Sequence, residues 1–273
     1  MTGMDVLKGR GARAFLLMLL FIAVMAAVAL PVRADGLTSE EQAQANNPLA
    51  SMKTLNFQNY YIPKLTGVPD EVANTFWFRY AQPIGPVLIR ASLPLATVPG
   101  GEAGGTSGLG DLNIFGAYLA VQKPALTFGV GPLFAFPTAT EDALGSGKWQ
   151  AGAAMVTFAV PTPNVQLGGL VTWQASFSGD EDREATSLMA VQPFGMWQLG
   201  GGTYVRSTGI MAFDLLSGNY NVPFGLGLGK VVKAGPMVFN MFAEPQFTIL
   251  HKGMGQPALQ FLFGLNMQFV SSK

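Results

Sequence analysis

The chain has 273 residues, with 16 Lys plus Arg balanced by 16 Asp plus Glu, one histidine and no cysteine. Hydrophobic residues make up 49% and charged residues only 12%, against about 25% charged in an ordinary soluble domain. Absence of cysteine excludes disulfides, zinc–thiolate sites and thiol catalysis, and zero net charge gives no electrostatic footprint for nucleic acid.

A membrane composition without membrane helices is what remains. Mean hydropathy is +0.32, yet beyond residue 34 no apolar run reaches the roughly 18 residues of a spanning helix. In lipid every backbone polar group must be satisfied internally, so the alternative to helices is a closed β-barrel. The 34 glycines suit strands and tight turns better than a helical bundle.

At the N-terminus Lys8, Arg10 and Arg13 precede an apolar run from Ala14 to Leu30, and Val32-Arg33-Ala34 ends on a small residue before Asp35. This reads as a secretory signal peptide over 1–34. A permanent helical anchor is the competing reading, against which Pro31 and the Ala34–Asp35 junction weigh. Residues 35–53 are polar. Ser39, followed by Glu40 and Glu41, starts a short helix that stops before Pro48. This segment is expected in the periplasm or partly inside the barrel, with the barrel itself over 54–273.

Strands follow from alternation. In Met237–Ile249, Phe239, Met241 and Phe247 share one face, and Asn240, Glu244, Gln246 and Thr248 the other. Val165–Phe177 and Leu259–Phe269 alternate the same way. This is the apolar-out, polar-in dyad of a transmembrane strand about 10 residues long. A soluble sandwich also alternates, but its outward face is charged, whereas here the second face is mostly Gly, Gln, Asn and Thr. About twelve strands are predicted on this logic, near 54–63, 75–82, 86–96, 109–121, 126–137, 149–160, 165–177, 187–199, 203–214, 220–232, 237–249 and 259–269. Asp111–Val121 and Gln150–Val160 carry apolar residues on both faces, so their lumen sides are not assigned. The fold class is therefore all-β: a transmembrane antiparallel up-and-down barrel with a short polar N-terminal segment.

The connections support it. Gln122–Ala125, Pro161–Asn164, Gly200–Gly202 and Lys233–Pro236 are short, while Pro99–Gly108, Thr138–Lys148, Ser178–Thr186 and His251–Ala258 are longer and more polar. Outer-membrane barrels have short periplasmic turns and longer outer loops. Within Thr138–Lys148, Gly147-Lys148 is not a phosphate-binding loop: Asp142 stands where the first glycine belongs and Trp149 where a hydroxyl belongs. Trp149 and Trp197 are expected at opposite membrane interfaces.

Gly131-Pro132, Pro137-Thr138-Ala139-Thr140 and Leu144-Gly145-Ser146-Gly147-Lys148-Trp149 together form a pattern. With Asn47-Pro48-Leu49-Ala50, Gly108-Leu109-Gly110-Asp111, Gln192-Pro193-Phe194 and Val222-Pro223 through Val232, it resembles the outer-membrane family named for the meta-pathway of phenol degradation. The resemblance covers roughly residues 40–269. It implies an outer-membrane transporter in a Gram-negative envelope, passing hydrophobic or aromatic compounds. Outer-membrane lipid, a small-molecule solute and the barrel-assembly machinery are its implied partners, and it implies no catalytic residues.

No cofactor, metal or catalytic site is expected. His251 lies in the predicted loop HKGMGQ with no serine beside it, which disfavours a phospholipase-type Ser–His pair. The acidic run Asp180-Glu181-Asp182 lacks the spacing of a calcium loop, and Lys230 and Lys233 read as snorkelling anchors. The lumen carries the candidate path residues. Arg79, Arg90, Arg206, Asp214 and Glu244 fall inward by alternation, where an arginine avoids the about 2–4 kcal/mol cost of the lipid face at the midplane. If Arg79 faces Arg90 directly across a hairpin, the two act either as a brace or as an anion filter, compensated by Glu244, by Asp111 or by a bound anionic group. Channel, outer-membrane phospholipase and closed structural barrel are the three functional readings.

Overall fold

The computed structural model describes residues 39–50, 52–68, 70–100 and 104–269. The signal-peptide reading of 1–34 lies outside the described residues. After a helix α1 (Ser39–Asn46) come β1 (Lys53–Leu65), β2 (Ala73–Ile84), β3 (Val87–Val98), β4 (Thr106–Leu109), β5 (Leu112–Lys123), β6 (Leu126–Phe136) and β7 (Lys148–Thr162). Then follow β8 (Val165–Gly179), β9 (Ser187–Gly200), β10 (Thr203–Ser207), β11 (Met211–Asp214), β12 (Tyr220–Gly225), β13 (Gly227–Ala234), β14 (Met237–Lys252) and β15 (Pro257–Phe269). β4 leads into β5, β10 into β11 and β12 into β13, so the segments make a closed antiparallel barrel of 12 strands. β1 closes it against β15, from Lys53 opposite Phe269 to Leu65 opposite Pro257. Closure removes every sheet edge, which lipid demands.

The turns at one end are as tight as the sequence implies. Ile84 pairs Val87, Lys123 pairs Leu126, Thr162 pairs Val165, and Ala234 pairs Met237. Gly85-Pro86 and Gly235-Pro236 make two of these turns, with φ of 58° at Gly85 and 57° at Gly235. Glycine reaches positive φ without a Cβ penalty, and the proline has no N–H to leave unpaired.

Alternation decides which side chains meet lipid. On β8 Leu167, Trp173 and Phe177 are exposed while Gln166 is fully buried; on β14 Asn240, Glu244 and Gln246 are buried while Phe247 and Ile249 are exposed. These exposed apolar side chains form the lipid-facing belt of a membrane-spanning barrel of outer-membrane type. The unassigned strands acquire a physical account. On β5 the inward Phe115, Ala117 and Leu119, with Leu133 of β6 and Ala154 and Val156 of β7, form an apolar cluster with Leu49, just past α1. These strands are apolar on both faces because their inner face packs around Leu49, while Phe115, Leu133 and Val156 also border the interior cavity.

Inward glycines complete the wall. Tyr204, Phe242 and Phe194 lie over the directly paired Gly229, Gly264 and Gly168. A Cβ on any of the three would overlap the ring beside it. Glycine here is the slot that lets an aromatic ring lie flat on the inner wall.

Two expectations need correction. His251 is not in a loop: β14 runs to Lys252 because β12 pairs it, with Asn221 opposite His251. Three predicted strands are interrupted, at Gly110-Asp111, at Thr208–Ile210 and at Leu226.

Candidate functional site

The barrel encloses a cavity of about 640 Å³. Its two walls differ. β5 to β8 contribute the apolar Phe115, Leu133, Val156 and Leu170 beside the polar Asn113, Gln150 and Gln174; β14, β15 and β1 contribute mostly polar side chains, Asn240, Asn266, Gln268, Asn56 and Gln58, beside Phe242 and Tyr60. β2 and β3 form the seam between these walls, and they carry Arg79 and Arg90.

Arg79 and Arg90 both line the cavity, but they are not directly opposed. Arg79 stands opposite Ser92 and Arg90 opposite Ala81, so the two guanidiniums are diagonal neighbours on one face. The tight Gly85-Pro86 turn sets this register; the opposed pairing required a different one. Diagonal neighbours sit roughly 7–8 Å apart at Cα, which weakens their repulsion relative to a direct pair. Arg79 donates to Gln58 Oε1 and its guanidinium lies 4.6 Å from the Trp77 ring centroid. Arg90 lies 4.5 Å from the Phe115 ring centroid. Among the described residues neither has a carboxylate partner, and the Nε atoms of both are buried without an acceptor.

The proposed counter-charges are committed elsewhere. Glu244 is fully buried and accepts from Arg206 Nε at 2.8 Å, Thr208 N at 2.8 Å, Thr208 Oγ1 at 2.7 Å and Gln246 Nε2 at 2.9 Å. It does not line the cavity, whereas Arg206 reaches the lining with its guanidinium 3.5 Å from the Phe242 ring centroid. The network sits where the wall is interrupted. Pairing between β10 and β13 stops at Arg206 opposite Gly227 and resumes between β11 and β12 at Ala212 opposite Asn221. Glu244 bonds the Thr208 amide in that interval, doing for it what a ladder carbonyl does elsewhere. Gly225 and Gly227 leave room for the carboxylate, since a Cβ on either would meet Glu244.

Asp214 also departs from the lumen role. It stands at the outer end of β11 and accepts from the Leu216 amide at 3.0 Å and the Ser217 hydroxyl at 2.6 Å. It caps its own turn and does not line the central cavity.

Asp111 closes the outer end. Its carboxylate accepts from the Ala139 amide at 3.2 Å, the Ser146 amide at 2.8 Å and the Ser146 hydroxyl at 2.9 Å. That draws the loop after β6 over the mouth, where Leu144 and Ser146 join the cavity lining. Arg183, in the acidic loop after β8, donates to the Asp142 carbonyl at 2.8 Å and pairs its carboxylate at 3.7 Å, so the two outer loops clasp. At the other end Asn240 Nδ2 donates to the Ala45 carbonyl at 3.1 Å and Gln268 Nε2 to the same carbonyl at 2.9 Å. Asn46 Nδ2 donates to Gln166 Oε1 at 2.9 Å. Ala45 and Asn46 thereby tie β8 to β14 and β15 across the interior.

No family model matches the chain, and no curated protein matches it in sequence. Solved structures do match in shape. The COG4313 outer membrane channel from Pseudomonas putida F1 aligns with a TM-score of 0.56 at 13% identity, over 80% of this chain and 94% of that one. A NanC porin aligns with a TM-score of 0.52 at 9% identity, over 79% of this chain and 98% of that one. At these identities the likeness establishes the fold. That fold is the closed outer-membrane barrel of channels and porins.

Sequence reasoning missed Asp111 as a loop anchor, Trp77 and Phe115 as arginine platforms, and Thr208 as a partner of Glu244. Alternation places Trp77 inward with Arg79, opposite Phe76 and Phe78, whereas Phe115 lies on a strand whose lumen side alternation does not assign. For Trp77 the signal was present. The Asp111 and Thr208 contacts reach across the sheet and leave no local pattern.

His251 is exposed at the outer end of β14, and among the described residues no serine bonds to it. The Ser217 hydroxyl donates to Asp214 instead. Among the described residues no serine stands with His251 as the nucleophile–base pair weighed from the sequence.

Proposed function

We propose that this chain is a passive outer-membrane channel for small apolar or aromatic molecules. The observation that carries the reading is the cavity of about 640 Å³ whose β5 to β8 side is apolar at Phe115, Leu133, Val156 and Leu170, beside the polar Asn113, Gln150 and Gln174. A wide polar pore for sugars has no use for such a wall, whereas an aromatic solute gains roughly 25 cal/mol for each Å² of apolar surface it buries there. The motif resemblance to the meta-pathway family supports the same solute class. The layout that goes with it is a leader over 1–34, a segment over 35–53 that reaches the lumen, and a barrel over 54–273 assembled by the outer-membrane machinery.

The test is uptake by Gram-negative cells that produce the chain, compared with cells carrying an empty vector. Labelled toluene or benzyl alcohol should enter faster, and arabinose at unchanged rate. Equal acceleration of the sugar overturns the apolar selectivity. A second reading, a closed structural barrel, is favoured by Ala45 and Asn46 standing across the interior. Single-channel recording separates the two, because a closed barrel passes no ions.

A further inference from the structure

Alternation alone assigns Arg79 and Arg90 to the lumen; their surroundings say what they suit. They stand on β2 and β3, where the polar wall ends and the apolar wall begins. Arg90 is directly paired with Phe115 of the apolar wall, and Arg79 with Asn56 of the polar one. Each guanidinium lies against an aromatic face, at 4.6 Å for Arg79 on Trp77 and 4.5 Å for Arg90 on Phe115. Such stacking fixes the plane of the group while leaving donors on its edge, of which Arg79 gives one to Gln58. The inward carboxylates of the barrel do not reach them: Glu244 is bound by Arg206 and Thr208, and Asp111 by the loop after β6. Arg206, by contrast, is neutralised by Glu244 at 2.8 Å. Among the described residues the lumen therefore holds one arginine balanced by a carboxylate and two adjacent ones that are not.

We propose that Arg79 and Arg90 form a carboxylate subsite, and that the ligand of this cavity is a monocarboxylate with an apolar body. The inference rests on the channel reading above and names its solute class. The carboxylate lies between the two guanidiniums, each supplying charge-assisted N–H donors. The body extends along Phe115, Leu133 and Leu170. An arylcarboxylate and a medium-chain fatty acid share this chemistry.

Calorimetric titration of the protein in nanodiscs, against empty nanodiscs, tests it. The probes are 4-ethylbenzoate and octanoate, each beside its neutral amide. Both carboxylates should bind at least about tenfold tighter than their amides, the effect of losing one charge-assisted contact. The advantage should vanish in the Arg79→Gln/Arg90→Gln double variant while amide binding stays within about twofold. Stronger binding by one carboxylate identifies the body the apolar wall prefers. Equal binding of acid and amide to the unaltered protein overturns the subsite and leaves the apolar channel standing. Binding of neither overturns the subsite and the apolar channel together. Should the double variant fail to assemble, Arg90→Gln alone decides, since Arg90 donates no hydrogen bond to another described side chain. An unchanged carboxylate advantage in that variant overturns the assignment of Arg90.

Discussion

At a single residue, Glu244, four hydrogen bonds converge on one carboxylate. It is fully buried, and removing it leaves Arg206 buried and unpaired and the Thr208 amide without an acceptor. Glu244→Ala should destabilise the barrel by about 3–5 kcal/mol, the usual cost of breaking a buried pair from one side. The check is the temperature at which the folded band is lost on unheated gels. Glu244→Gln, which keeps the shape, should lose less. Alternation put both Glu244 and Arg206 inward from the sequence alone. It did not pair them, because Arg206 is on β10 and Glu244 on β14, with β13 between them. Register errors have the same origin: Arg79 and Arg90 lie on the face foreseen for them, but their offset depends on how few residues the Gly85-Pro86 turn uses.

At the scale of elements, aromatic rings over glycines and a loop over the mouth do the shaping. Gly229→Val should cost about 1–3 kcal/mol by overpacking, since its side chain would displace the Tyr204 ring. The same gel assay measures it, and Gly201→Val, in a turn where a Cβ meets no neighbour but φ is 56°, separates ring displacement from backbone strain. Asp111→Ala removes three acceptor contacts of the outer loop. It should raise single-channel conductance without loss of the folded barrel, and unchanged conductance would show that this loop does not limit flow. Strand positions were legible because lipid and lumen impose opposite chemistries on alternate residues. The breaks at Thr208–Ile210 and Leu226 were not, because a missing ladder bond changes no residue type in a pattern of polar and apolar. β5 and β7 defeated the pattern for another reason: their inner faces meet Leu49, which lies outside the strands.

For the molecule as a whole, the belt fixes depth and the interior fixes passage. Trp149 begins β7 and Trp197 stands near the end of β9, and both are exposed. Brominated lipids should quench both only when the bromine is shallow, as interfacial tryptophans require; deep quenching of either would shift the belt along the barrel. Deleting residues 35–46 should leave a heat-modifiable barrel that conducts more, because Asn46 then no longer bridges Gln166 and Asn240. The interior contacts also impose an order of events. Ala45 precedes every strand, yet the groups that bind its carbonyl, Asn240 and Gln268, lie on the last two strands of the chain. These bonds wait until synthesis is complete, and β1 must then zip to β15 with the early segment already between the walls. A barrel that closed first would have to admit its own beginning through an open end, so the timing of the final seam bears on how readily the segment is housed. Slowing that seam by a mismatched Lys53–Phe269 end should enrich the product with the segment correctly housed.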